Sequence, residues 1–280
     1  MDRLTSLFRD DDKSGNERKH YSWLKTYFPE SEYIIYPNVA LQLIIDSNCP
    51  AINKELSPDV EPLPVLDTHW CTQNFFDNSS VDLCVIKKSD HLPLVAFEID
   101  GASHRDALQK KRDEFKDLLF NRAALPFVRL LVNENQLDSE KQRQLARAVR
   151  GISRRYETEF TEERNAPGTR SILSGTDIAK YFDLLNSMFC ADECLVFPNV
   201  ALQSIFHDEH ISRLTEYSER NYCRTRLVDF CIVGAEDLRP KVAFSVGQDE
   251  LKQRIFAAFG LPLLPLRPAI TRDTMHEHSE

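Results

Sequence analysis

The stretch VDLCVIKKSDHLPLVAFEIDGASH (Val81–His104) holds two apolar runs of strand length, separated by a polar loop. β-branched and aromatic residues dominate both runs, which predicts an antiparallel hairpin. With the turn centred on Asp90, Ile86 faces Leu94, Cys84 faces Ala96, and Asp82 faces Glu98. Side chains alternate along a strand, so Asp82, Cys84, Ile86, Leu94, Ala96, Glu98 and Asp100 share one face. That face is apolar toward the turn and carries three carboxylates at its open end. Like charges directly opposite one another destabilise a sheet, and crowded carboxylates on a half-buried surface repel or take up protons. Either the carboxylates are solvated edge charges flanking a strand, or a divalent cation resolves the conflict, and such hard oxygen ligands suit Mg2+ or Mn2+ rather than zinc.

Working outward, the chain repeats itself. EYIIYPNVALQLII (Glu32–Ile45) recurs as ECLVFPNVALQSIF (Glu193–Phe206), and VDLCVI (Val81–Ile86) recurs as VDFCIV (Val228–Val233). PLVAFEID (Pro93–Asp100) recurs as PKVAFSVG (Pro240–Gly247), and AALPFVRL (Ala123–Leu130) as FGLPLLPL (Phe259–Leu266). Matches in one order mark a tandem duplication. An amphipathic helix opens each copy, with Tyr21, Leu24 and Phe28 in the first and Ile178, Phe182 and Leu185 in the second. A β segment through PNVAL follows, then the hairpin. A charged helix (about 105–124 and about 249–259) and a last strand (127–132 and 263–266) close the unit. The order αβββαβ predicts an α/β fold with a mixed sheet flanked by helices in each copy.

A helix ends the first copy, with Leu145, Val149, Ile152 and Tyr156 on one stripe and Arg143, Arg147, Arg150 and Arg154 on another. Asn165, Ala166, Pro167 and Gly168 then read as a linker, which gives domains 1–166 and 167–280.

The second copy serves as an internal control. Asp229 stands where Asp82 does, but Ser245 and Gly247 replace Glu98 and Asp100. Asp100 to Asp113 is thirteen positions, whereas Gly247 to Asp249 is two. The piece without a counterpart, Gly101–Lys111, bears His104 and the basic start of the charged helix. The joint absence of carboxylates, His and basic residues fits loss of one site.

Composition narrows the class. Apolar residues make up 42% and charged residues 28% of the 280, as in soluble globular proteins. No apolar run approaches the roughly 20 residues that cross a bilayer, and the N-terminus lacks a signal-type apolar core. A cytoplasmic location without membrane association is expected. Seven cysteines include no CxxC pair, which argues against structural zinc, and Cys84 and Cys231 read as buried small hydrophobes. A net charge of −9 argues against nucleic-acid binding over the whole surface but leaves room for a local basic groove.

These residues resemble the PD-(D/E)XK nuclease superfamily, whose core is also αβββαβ. FEIDGASH (Phe97–His104) is similar to the E-L-D-G-x-x-H signature of a bacterial branch containing uncharacterised domain families and relatives of the very-short-patch repair endonucleases. RDEFKDLLFNRAALPFVRL (Arg112–Leu130) is similar to the segment that follows in such domains. The resemblance covers about 21–132 and extends weakly to the second copy.

It implies two tandem restriction-endonuclease-like domains, the second a degenerate pseudo-nuclease. Asp82 and Glu98, with the Ile99 carbonyl, would hold Mg2+ (or Mn2+) for phosphodiester hydrolysis, with DNA favoured over RNA. Asp100 occupies the place of the superfamily lysine and is either a ligand or an orienter of His104. His104 would contact a phosphate or help to activate water. Lys116 is either the missing positive charge or a surface residue, since Lys252 stands at its place in the blank copy. Glu17 is open to the role of the additional first-helix acid, but Ser14-x-x-Glu17 is also a capping box, the preferred reading. Lys110, Lys111 and Arg112 would hold the nucleic-acid backbone; the Arg143–Arg154 stripe either joins them or is simply a solvated face, the preferred reading. The second domain would cover the first, bind substrate, or engage a partner protein or a second copy in a homodimer. The competing expectation is a non-catalytic interaction module built on two nuclease-like folds.

Overall fold

The computed structural model describes residues 6–8, 16–56, 72–100, 107–131, 143, 146–147, 149–151, 168–173, 176–189 and 193–266. The chain forms two compact units, one spanning Thr5–Ser174 and the other holding Gly175–Glu280.

In the first unit α1 (Asn16–Lys25) leads into β1 (Tyr33–Ala40), followed by the short helices α2 (Leu41–Ile44), α3 (Pro50–Leu56) and α4 (Thr72–Asn78). The hairpin is β2 (Ser80–Lys87) and β3 (Pro93–Asp100), and α5 (Ala107–Arg122) crosses over to β4 (Phe127–Leu131). The sheet order is β1-β2-β3-β4, with β1, β2 and β3 antiparallel and β4 parallel to β3. The second unit repeats it: α6 (Thr176–Phe189), β5 (Cys194–Ala201), α7 (Leu202–Ile205), α8 (Asp208–Ile211), α9 (Tyr217–Thr225), β6 (Leu227–Gly234), β7 (Pro240–Val246), α10 (Glu250–Ala258) and β8 (Leu263–Leu266). Its order is β5-β6-β7-β8 with the same directions. Each unit is thus a four-stranded mixed sheet with helices against it, the α/β arrangement expected. The short helices between the first two strands were not.

The identical PNVALQ segments are explained by backbone geometry. Asn38 and Asn199 take left-handed φ values of 50° and 52° inside their strands, a conformation Asn tolerates far better than most residues. The Asn38 side-chain amide donates to the Leu7 carbonyl. Each strand then passes directly into a helical turn, whose first N–H is taken by the Ser79 carbonyl at 2.9 Å or by the Arg226 carbonyl at 3.0 Å.

Hairpin register agrees with expectation in its inner part. Cys84 pairs with Ala96 and Leu83 with Phe97, which places Asp82 and Glu98 one step further along. Toward the turn, Ile86 pairs with Pro93 rather than Leu94, through a bulge between Val85 and Ile86. The cause is the turn itself: His91 is left-handed at φ 57°, and the Asp90 carboxylate accepts the Leu92 N–H at 3.0 Å. The second hairpin repeats the bulge between Ile232 and Val233, with Leu238 at φ 50° and Asp237 accepting Arg239 N–H.

Both strands of the first hairpin are buried almost throughout, which is why they read as continuous apolar runs rather than alternating ones. Val81, Leu83, Val85, Val95 and Phe97 are fully buried, each contributing about 1.5–3 kcal/mol by removal from water. Phe115, Leu119 and Phe120 on α5 join this core.

The first unit continues past the boundary expected before Pro167. Thr169 bridges Ile45, Asp46 N–H donates to the Gly168 carbonyl at 2.7 Å, and Ile172 N–H donates to the His91 carbonyl at 3.1 Å. Gly168 has φ 103°, and a Cβ there would meet Ala123 Cα at 2.8 Å. Residues 168–172 therefore belong to the first unit's packing, whereas Asn165, Ala166 and Pro167 of the predicted linker lie outside the described residues. Among the described residues no helix is long and apolar enough to cross a membrane.

Candidate active site

Asp82 on β2, Glu98 on β3 and Lys116 on α5 are 8%, 8% and 6% exposed. Burial of three ionisable groups is costly unless they are paired and hydrogen-bonded, and here they are. Asp82 Oδ2 accepts the Ile99 N–H at 2.6 Å, across from its own strand. Lys116 Nζ donates to Glu98 Oε1 at 2.8 Å and to the Ser80 carbonyl at 3.0 Å. The register of the hairpin and the placement of α5 over this face bring the three together. Lys116, open between site and surface in the sequence, is thus buried against the expected metal carboxylate.

Asp100 behaves differently. The three carboxylates expected at the open end do not converge on one point: among the described residues no group of three or more His, Cys, Asp or Glu side chains is placed to hold a metal ion. Asp100 Oδ1 instead accepts from Arg129 Nη1 at 3.2 Å. Arg129 lies on β4 opposite Glu98 in the parallel register, and it also engages Asp113 and Asp117 on α5. Arg129 was not singled out from the sequence. Its signal was a lone cation in an apolar strand whose counterpart in the repeat is Pro265.

The remaining candidates are spread out. His104 and Arg154 lie outside the described residues, as does Ser14, the other half of the capping box. Glu17 is buried on α1, which packs against β1 and β2. Lys110 is exposed on the first turns of α5, and Lys111 and Arg112 are half-buried; Arg112 lies one turn before Lys116 on the same side of the helix. Arg143, Arg147 and Arg150 are exposed. Arg150 is engaged within the unit, its guanidinium 5.8 Å from the Tyr27 ring centre and donating to the Tyr27 carbonyl at 3.2 Å.

In the second unit the equivalent place is closed by short side chains. Asp229 Oδ2 accepts from the Val246 N–H and from Ser245 Oγ, both at 2.9 Å. Lys252 Nζ donates to Ser245 Oγ at 3.3 Å. The aspartate–backbone bond and the buried lysine recur, and the glutamate is replaced by a hydroxyl.

Fold and site define an α/β protein with two mixed-sheet units, one of which carries a buried Asp–Glu–Lys constellation. The model of one family, described as a protein of unknown function (DUF2726), matches residues 69–149. The match takes in the hairpin, α5 and β4, and so the whole constellation. No curated protein and no solved structure matches the chain.

Proposed function

We propose that the first unit is a metal-dependent phosphodiester hydrolase of PD-(D/E)XK type, acting on DNA in preference to RNA, and that the second unit is catalytically inert. The observation that carries this reading is the buried Lys116–Glu98 contact beside Asp82, in a repeat whose other copy keeps the fold without the glutamate.

The donor set suits Mg2+ or Mn2+: two carboxylates on adjacent strands and the carbonyl of Ile99, the residue after Glu98, are hard oxygen ligands. Asp82, Glu98 and the Ile99 carbonyl would hold the ion. The chemistry such an ion supplies is polarisation of a phosphoryl oxygen and a lowered pKa for water. Asp82 is oriented for this by the Ile99 N–H. Lys116 keeps an ammonium N–H beside Glu98, where it would donate to the attacked phosphate and stabilise the charge that develops there. Lys110, Lys111 and Arg112 would hold backbone phosphates on either side of the scissile bond. One such site per chain implies nicking by a single copy, and a homodimer or two successive events for a double-strand break.

The test is incubation of the full chain with supercoiled plasmid, single-stranded DNA and RNA in Mg2+ or Mn2+, beside Glu98→Gln. Plasmid nicking that disappears in Glu98→Gln is expected. Cleavage persisting unchanged in the variant refutes the assignment.

A second reading, a non-catalytic module binding nucleic acid or protein, draws support from the same pair: Glu98 and Lys116 neutralise each other inside the fold, as a purely structural ion pair would. Absence of cleavage on every substrate would favour it.

A further inference from the structure

The Arg129 guanidinium is held by three aspartates and an aromatic ring. Nε and Nη2 both donate to Asp117 Oδ1, at 3.2 and 3.1 Å, and Nη2 also donates to the Asp113 carbonyl at 3.1 Å. Nη1 donates to Asp100 Oδ1 at 3.2 Å and lies 3.6 Å from Asp113 Oδ1. The guanidinium carbon sits 5.1 Å from the centre of the Phe127 ring, which is itself stacked on Phe120 at 4.3 Å. A planar fork pinned by hydrogen bonds at its edge and by an aromatic face has little rotational freedom left.

Burial works against the charge, but Asp117, then Asp100 and Asp113, outweigh it and raise the Arg129 pKa. Arg129 and Glu98 are register partners on adjacent parallel strands, and Asp100 is two residues along β3 from Glu98 on the same face. The guanidinium therefore anchors one oxygen of the Asp100 carboxylate, Oδ1.

The second unit shows that folding does not need this cluster. Ser245 pairs with Pro265 in the register that joins Glu98 to Arg129. Gly247 replaces Asp100 and Gln253 replaces Asp117. Asp249, the counterpart of Asp113, has a different employment: it accepts the Tyr222 hydroxyl and caps α10 through the Lys252 N–H at 3.0 Å. The same strand–helix–strand unit is built without the arginine, and the arginine, Asp100 and Asp117 disappear together with Glu98.

We propose that Arg129 is a positioning residue that draws Asp100 out of the cation site, so that the site is formed by two carboxylates, Asp82 and Glu98, with Asp113 and Asp117 fixing the arginine in turn. This rests on the metal-site reading given above. Asp100 is then a strut and not a ligand. Freed from Arg129, it would rotate toward Glu98 and add a third negative oxygen group to the site, binding the cation more tightly and releasing it, with product, more slowly.

The test is Mn2+ titration of the full chain, read by the electron paramagnetic resonance of free Mn2+, alongside plasmid nicking with kcat and KM separated. The set comprises wild type, Glu98→Gln, Asp100→Asn, Arg129→Lys, Arg129→Met and the double variant Arg129→Met/Asp100→Asn. Asp100→Asn is expected to bind Mn2+ within about twofold of wild type, the scatter of an untouched ligand set. Arg129→Met is expected to bind about tenfold more tightly, the factor for roughly 1.4 kcal/mol from one added carboxylate, with reduced kcat. The double variant should return to wild-type affinity, and Arg129→Lys should lie between. Loss of Mn2+ binding in Asp100→Asn, or unchanged affinity in Arg129→Met with a native circular dichroism spectrum, overturns the inference while wild-type binding and its loss in Glu98→Gln keep the metal site standing. Failure of wild type to bind Mn2+ overturns both.

Discussion

Lys116 Nζ lies 2.8 Å from Glu98 Oε1, with the two side chains only 8% and 11% exposed. An ion pair this deep is held by its own geometry: removing one member leaves a buried charge uncompensated, at a cost of about 3–5 kcal/mol. Lys116→Met should therefore lower the stability of the first unit by that order. The double variant Lys116→Met/Glu98→Gln should recover most of the loss while remaining inactive. Urea denaturation of the three proteins checks both statements, and a double variant no more stable than the single one refutes the pairing.

Asp82 and Asp229 make the same bond to a backbone N–H but are assigned different duties. Asp82→Ala should abolish nicking. Asp229→Ala should leave nicking within about twofold, while costing the second unit roughly 1–3 kcal/mol for unsatisfied Ser245 and Val246 donors. Plasmid assays and thermal melts on the two variants separate the duties; strong loss of activity in Asp229→Ala would show that the second unit takes part in cleavage.

Ala124 and Gly260 are equivalent residues after α5 and α10, and both are left-handed, at φ 54° and 68°. Only glycine adopts this conformation without steric cost. Ala124→Gly should raise stability by about 0.5–1 kcal/mol, and Gly260→Ala should lower it by about the same amount or more. Opposite shifts of the melting temperature are the expected result.

Asp249 should give the second unit an acid limb. Burial raises its pKa, but the Tyr222 hydroxyl and the Lys252 N–H outweigh this, and the net direction is downward. A depressed carboxylate pKa contributes stability that is complete above the unfolded value of about 3.9 and is lost as pH falls through the lower folded value. The stability difference between wild type and Asp249→Ala, about 1 kcal/mol for a lost helix cap, should therefore hold at pH 5–7 and shrink below pH 4. Urea titrations across that range measure it, and a difference that grows on acidification contradicts the assignment.

Much of the architecture was legible because the chain states it twice. The order αβββαβ, the Cys84–Ala96 pairing and the shared face of Asp82 and Glu98 all follow from apolar runs, a turn and strand alternation. What escaped was set by contacts distant in sequence. The parallel register of β3 and β4 is fixed by a helical crossover, so no turn announces that Arg129 faces Glu98. Asp100 could be placed on the right face, but a carboxylate next to a site does not reveal which cation it answers. Even so, the joint replacement of Asp100, Asp117 and Arg129 by Gly247, Gln253 and Pro265 was there in the two copies, side by side. The bulge at Ile86 was missed because it depends on one left-handed histidine and one side chain closing over the turn.

The strand-like bridge between Thr169 and Ile45, with Gly168 wedged against Ala123, bears on how the chain can be divided. A fragment ending before Pro167 would leave the Asp46 N–H and the Ile44 carbonyl without Gly168 and Arg170, their hydrogen-bonding partners, and open the edge of the first unit around Ile44. A fragment ending after Ser174 keeps that closing tail. Residues 168–173 thus act as a latch on the first unit, and the natural seam for dissecting the molecule lies just beyond them.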